Sequence, residues 1–169
     1  MKAVGVILAI TLALALQTTL GRFVIRGTMA VDLVLVVVVY VALTSGPVTG
    51  LLSGTVAGLV QDALSSGIIG IGGLAKTIVG FLAGIIGTQF IVAQPLPRFV
   101  VFFGATILHS VIFIGLYALL DLRQFGAPVA AVSGQAVGNA IIGVIAFQLV
   151  ELLPGAVEKR RAGRSRVRR

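Results

Sequence analysis

Residues 50–80, GLLSGTVAGLVQDALSSGIIGIGGLAKTIVG, decide the fold of this chain. In a stretch that is otherwise apolar and glycine-rich they carry one acidic side chain, Asp62, and one basic side chain, Lys76. A charge in the hydrocarbon of a membrane costs about 2.5–3.5 kcal/mol on insertion scales, so such residues normally face other helices, a cavity or a partner. The stretch therefore predicts a hairpin of two packed membrane helices with an ion pair between Asp62 and Lys76, which is either structural or part of a binding site.

Small residues recur at helical spacing in three places. Glycines four residues apart lie near one face of a helix, where they let a second helix backbone approach closely. The three small-residue grooves predicted in this way are Gly50, Gly54 and Gly58; Gly80 and Gly84; and Gly134 and Gly138. We expect the face through Gly54 and Gly58 to remain on the lipid side as the seat of a partner helix or of a second copy of the chain.

The composition places the chain among integral membrane proteins. Of its 169 residues, 58% are hydrophobic and 11% are charged, and the mean hydropathy is +1.15. Soluble domains are about 45–50% apolar and about 25% charged. The absence of cysteine from the sequence excludes disulfides, a thiolate nucleophile and a cysteine metal site.

Basic residues are concentrated at the end of the chain. Seven of the thirteen lysines and arginines lie within residues 159–169. The positive-inside rule accounts for such a tail, and anionic lipid headgroups would attract it. Nucleic acid is not an expected partner, because the tail lacks aromatic residues on which bases could stack.

Charges and Gly/Pro positions divide the apolar sequence into six predicted membrane helices. The predicted transmembrane domain covers residues 1–155, and the basic tail covers residues 156–169. The alternative is five crossings, because residues 33–61 carry no charge and could form one long helix. At 1.5 Å per residue that helix would be about 43 Å long, beyond a core of about 30 Å, so six are favoured. Their predicted spans are 3–20, 29–45, 47–64, 73–92, 99–120 and 129–152.

The first predicted helix resembles a signal peptide, but its apolar character continues to Leu20, so we interpret it as an uncleaved insertion signal. Six crossings put both termini in the cytoplasm. The inner side then holds Lys2, Arg98 and the seven basic tail residues, against four basic residues outside, as the positive-inside rule requires.

Four further polar residues stand out within apolar segments. Asp32 begins the second helix, where it either complements the helix dipole or contacts a partner. His109 is a packing residue or a ligand, and as the only histidine it excludes a multi-histidine metal site. Gln135 and Asn139 lie four residues apart and predict interhelical hydrogen bonds or, in a transporter, a substrate cavity. No catalytic arrangement and no cofactor are expected.

Three segments resemble the MreD family of bacterial rod shape-determining proteins. They are VDLVLVVVVYVAL (31–43), GPVTGLLSGTVAGLVQDALSSGIIGIGGLAKTIVGFLAGIIG (46–87) and AQPLPR (93–98). The resemblance covers residues 28–120, and its most specific pattern is formed by Gly54, Gly58, Asp62, Leu74, Lys76 and Gly80. The family's Pro-Asp pair at the start of the second helix is Val31-Asp32 in this chain.

This resemblance implies a non-enzymatic subunit of the cell-elongation complex in the bacterial inner membrane. It implies an MreC-like membrane scaffold as partner, with a RodA-type glycosyltransferase and a penicillin-binding transpeptidase in the same complex, and it leaves a homodimer open. It also implies an all-α six-helix bundle similar to the substrate-binding subunits of ECF vitamin transporters. Such a transporter subunit is the alternative function, because Ala9 and Ala13 match its A-x-x-x-A docking pattern. A small channel is a third option, for which the sequence shows no ion pathway.

Overall fold

The computed structural model describes residues 2–20, 31–65, 68–90, 94–121 and 128–152. Within these ranges the chain is helical and has no strand. The helices are α1 Lys2–Leu20, α2 Leu33–Ser45, α3 Pro47–Leu64, α4 Ile71–Gln89, α5 Pro95–Leu119 and α6 Pro128–Leu152. The predicted all-α class is therefore confirmed for the described part of the chain.

The break between α2 and α3 follows from two residues. Gly46 has φ of 91°, a left-handed conformation that favours glycine. Pro47 occupies the first turn of α3, where its missing N–H has no helical partner to lose. The single long helix considered above is thus wrong. Proline has the same effect in α5, which begins at Pro95, four residues before the predicted start.

Helix α2 lies at the centre of the bundle and contacts each of the other five helices. Its sequence LVLVVVVYVALTS is apolar on all sides, as expected for a helix surrounded by others. One buried cluster joins Leu35 and Val39 to Phe102 and Phe147 of α5 and α6. The opposite side of α2 packs on α1 and α3, with Ala57 of α3 fully buried there.

Helices α3 and α4 form the closest pair, because glycines line their contact. A Cβ atom on Gly50 would collide with the carbonyl oxygen of Gly80, and one on Gly54 with that of Lys76. A Cβ atom on Gly58 would lie 2.5 Å from Cα of Gly73. These backbones can approach only because side chains are absent, which confirms the predicted hairpin.

This packing corrects one sequence-based prediction. The face through Gly54 and Gly58 is not on the lipid side, because the backbone of α4 covers it. The second predicted groove, Gly80 and Gly84, is used in the same contact, with Gly84 lying against Pro47. In the third, Gly134 has open space around it.

Three described helices are long and apolar enough to cross a membrane. They are Ile71–Gln89, Pro95–Leu119 and Val129–Leu152. Val4–Thr19 and Leu33–Ser45 are shorter apolar helices. With 13 residues, α2 is about 20 Å long and does not match a hydrocarbon core of about 30 Å by itself.

Between α1 and α3 there is an open groove of about 440 Å³. We call it the α1–α3 groove. Its lining is mostly apolar and includes three hydroxyl-bearing side chains. It is lined by Val6, Ile7, Ile10, Ser45, Thr49, Leu52, Ser53 and Val56.

Candidate functional site

Three ionisable side chains meet inside the bundle. Nζ of Lys76 on α4 lies 2.9 Å from Oδ2 of Asp32 and 3.2 Å from Nε2 of His109 on α5. All three residues are buried, and Lys76 is only 3% exposed. An ammonium group can only donate, so Nε2 of His109 must accept and carries no proton. The arrangement therefore combines one negative charge, one positive charge and a neutral imidazole.

Asp32 also fixes the start of α2. Its Oδ1 accepts a hydrogen bond of 3.0 Å from the backbone N–H of Leu35, which makes it the N-cap of the helix. Its own backbone N–H donates to Oδ1 of Asn139 on α6 at 2.8 Å. The expected dipole role of Asp32 thus takes the form of a cap, and the same side chain also pairs with Lys76.

Asn139 continues the network toward α5. Its Nδ2 donates to Oγ1 of Thr106 at 3.1 Å, and Thr106 donates in turn to the carbonyl oxygen of Phe102 at 2.9 Å. The predicted interhelical hydrogen bonding is confirmed for Asn139.

Gln135 is half-buried on the preceding turn, and its predicted interhelical hydrogen bond stays a prediction. Gly138 is half-buried as well, and the groove predicted for Gly134 and Gly138 also stays a prediction.

Helix α1 joins the network through Gln17, to which the sequence analysis gave no role. Its Nε2 donates to the carbonyl oxygen of Val31 at 3.0 Å, and its Oε1 accepts from the backbone N–H of Leu33 at 2.8 Å. The sequence signal for this role is a single amide side chain near the end of an apolar helix, because such side chains hydrogen-bond to neighbouring helices. We use the name Asp32 cluster for Gln17, Asp32, Lys76, Thr106, His109 and Asn139.

Asp62 is not the partner of Lys76, and the predicted ion pair is wrong. Oδ2 of Asp62 accepts from the backbone N–H groups of Gly70 and Gly73, at 2.9 and 3.0 Å. These groups lie at the start of α4, where helical N–H groups have no partner within the helix. A carboxylate is doubly suited to this position because the helix dipole is positive there. Asp62 therefore closes the hairpin as a cap supplied by the preceding helix.

The Asp32 cluster lies near mid-height of the two longest helices. Thr106 and Asn139 each lie 11 residues after the start of a 25-residue helix. Each of these helices is about 37 Å long at 1.5 Å per residue. The charges consequently lie near the middle of α5 and α6, far from either end. An unpaired ion at that depth in a membrane would be costly.

A second ion pair closes one end of the bundle. The guanidinium of Arg98 on α5 makes two hydrogen bonds to the carboxylate of Glu151 on α6. It also lies 4.5 Å from the ring centroid of Phe147, a distance suited to a cation–π contact. Arg98 is 2% exposed, so it is a buried structural charge and not only one of the charges that set the predicted topology.

The Asp32 cluster is built to hold helices together. Within the described ranges, no group of three or more His, Cys, Asp or Glu side chains is placed to hold a metal. Each residue in the cluster has a polar partner within the protein, and five of the six described helices contribute to it. A buried hydrogen-bonded network of this kind specifies one arrangement of packed elements.

Comparison with known proteins identifies the family. A family model described as rod shape-determining protein MreD matches residues 1–154 of the 169. Comparisons with curated proteins and with solved structures gave no match. The matched range contains all six helices and the whole Asp32 cluster. The chain therefore belongs to the MreD family of rod shape-determining proteins, which are membrane proteins.

Proposed function

We propose that this protein is a multi-pass, non-enzymatic subunit of the bacterial cell-elongation complex and that it binds an MreC-like scaffold within the inner membrane. The match to the MreD family over residues 1–154 carries the proposal. The geometry supports it, because the described ion pairs join helices to one another, while large apolar side chains face outward on each described helix except the central α2. Through the scaffold the protein would support a RodA-type glycosyltransferase and a penicillin-binding transpeptidase in peptidoglycan synthesis.

The scaffold's single helix needs a lipid-facing seat other than the α3 glycines. Helix α5 offers one in Gly104, Val111 and Gly115, which lie near one face and are exposed. A Cβ atom on either glycine would meet nothing within 4 Å. Glycine in a helix costs about 0.8–1 kcal/mol relative to alanine, and packing among the described residues does not require it here. We propose this α5 face as the contact for the scaffold helix.

Substituting leucine at Gly104 or Gly115 tests the contact. Each variant should fold and insert, since the added side chain enters open space. Each should reduce co-purification of the scaffold at least about tenfold, because a loss of about 1.4 kcal/mol of close packing is a tenfold change in affinity. The measurement is the amount of tagged scaffold recovered with the purified protein from native membrane.

The matched control is Gly5→Leu, which also places leucine into open space, but on α1. It should leave recovery of the scaffold unchanged. Gly134→Leu places the same side chain into open space on α6. It should also leave recovery of the scaffold unchanged if the contact is on α5. Unchanged recovery with both α5 variants would place the interface elsewhere, and loss of self-association alone would indicate a homodimer contact.

We also propose six crossings with both termini in the cytoplasm, as the charge distribution predicts. A reporter active only in the cytoplasm should then be active when fused to either end. Activity at one end alone would mean an odd number of crossings.

With both termini in the cytoplasm, the basic tail would lie against the anionic inner leaflet. The vitamin-transporter alternative has no support in the comparisons, because the family model that matches is that of MreD, and we do not propose it.

A further inference from the structure

Helix α1 is held firmly at one end only. In its C-terminal half Ala13 is 4% exposed and packs on α2 and α3, and Gln17 is bonded to the backbone on both sides of Asp32. On the same inward face Ile10 is also buried, but Val6, one turn closer to the N-terminus, is only half-buried. Among the described helices, α1 contacts only α2 and α3.

The α1–α3 groove lies beside the loosely held half. Val6 and Ile7 line it on one side, and Thr49 and Leu52 line it on the other. The hydroxyl of Thr49 donates to the carbonyl oxygen of Ser45 at 3.3 Å. That bond lies within its own segment, so Thr49 offers no hydrogen-bond donor to α1.

Little free energy separates an open groove from a closed one. Hydrocarbon chains solvate an apolar helix as well as another apolar helix does, so only close packing and hydrogen bonds hold membrane helices together. Both occur at the Gln17 end. Close packing continues to Ile10, which lies in one buried cluster with Ala57 of α3, and no described hydrogen bond joins the first two turns of α1 to α3. Thr11, which lies between the two halves, donates to the carbonyl oxygen of Ile7 at 2.9 Å. Bonds of this kind often bend a helix.

We infer that α1 is a hinged helix. Its C-terminal end is pinned by Gln17 to the start of α2, and its N-terminal half swings across the α1–α3 groove toward and away from α3. The two hydrogen bonds of Gln17 go to the residues on either side of Asp32, which is itself held by Lys76. The C-terminal end of α1 is therefore attached to a fixed part of the bundle. This motion would open the bundle sideways between α1 and α3, and it does not depend on the proposed scaffold contact on α5.

Spin-label distances in lipid nanodiscs test the hinge on the full chain. The sequence has no cysteine, so labels attach only where cysteine is introduced. Val4, Leu16 and Leu52 are each paired with a common reference on α6, Ile145, and all four positions are exposed. The Val4 pair should give a distance distribution about twice as broad as the Leu16 pair, because the two ends of α1 differ in motion. The Leu52 pair, which reports the fixed bundle, should be narrow.

The Gln17→Ala variant removes the pin. It should broaden the Leu16 pair toward the width of the Val4 pair while the Leu52 pair stays narrow, which shows that the rest of the bundle is folded. A Val4 pair as narrow as the Leu16 pair would overturn the hinge. A Leu16 pair that is broad before substitution, or unchanged by Gln17→Ala, would overturn the assignment of Gln17 as the pin.

Discussion

Replacing Lys76 by alanine is expected to cost about 3–5 kcal/mol of stability, since removing one partner of a buried ion pair leaves the other charge uncompensated. The carboxylate of Asp32 would keep its bonds to α2 but lose its only counter-ion among the described residues. The same substitution deprives Nε2 of His109 of its donor. The measurement is the temperature at which half of the detergent-solubilised protein is lost from the monodisperse chromatographic peak.

Two further variants make this expectation specific. Ile78→Ala, on the lipid-facing side of the same helix, should stay close to the unsubstituted protein. Combining Lys76→Met with Asp32→Asn should lose less than Lys76→Ala, because no unpaired charge remains. If Asp62→Asn rescued Lys76→Ala instead, the ion pair would join Asp62 and Lys76, contrary to the observed geometry.

Adding one methyl group at Gly54 is expected to have the second largest effect. A Cβ atom there would collide with the carbonyl oxygen of Lys76, so Gly54→Ala should force α3 and α4 apart. Overpacking of this kind typically costs about 1–3 kcal/mol. The displacement would also move Lys76 relative to Asp32. Part of the loss of stability in Gly54→Ala would therefore come from the same ion pair that Lys76→Ala removes. The same chromatographic assay measures the loss.

Gly104→Ala is the matched control, because the added methyl group enters open space on α5. Removing a glycine from a helix interior gains up to about 1 kcal/mol, so this variant should be at least as stable as the unsubstituted protein. Equal behaviour of Gly54→Ala and Gly104→Ala would mean that α3 and α4 do not pack through their glycines.

The positions of the helices could be predicted from local sequence. Gly46 and Pro47 end one helix and begin the next whatever surrounds them, because backbone sterics act within a few residues. The four-residue glycine spacing likewise predicted a close helix contact, although it could not say which neighbour would use it. Gly54 and Gly58 meet α4 rather than a partner.

The pairing of charges was decided only by the tertiary structure. In the sequence Asp62 is the acidic residue nearest to Lys76, yet Lys76 pairs with Asp32, which is 44 residues away along the chain. The nearer carboxylate was already committed to two backbone N–H groups at the start of α4. Glycine at position 72, between the two donors, leaves room for that contact, since a Cβ atom on Gly72 would collide with Asp62.

The sequence by itself therefore determined a membrane protein of apolar helices, the break between α2 and α3, and the family to which it belongs, because apolarity, proline and glycine act locally. The tertiary structure decided which buried polar groups meet. Lys76 reaches Asp32 and His109 because α2 occupies the centre of the bundle and presents its N-cap between α4, α5 and α6. In a medium without water each polar group must find its partner inside the protein, and that choice depends on all the helices together.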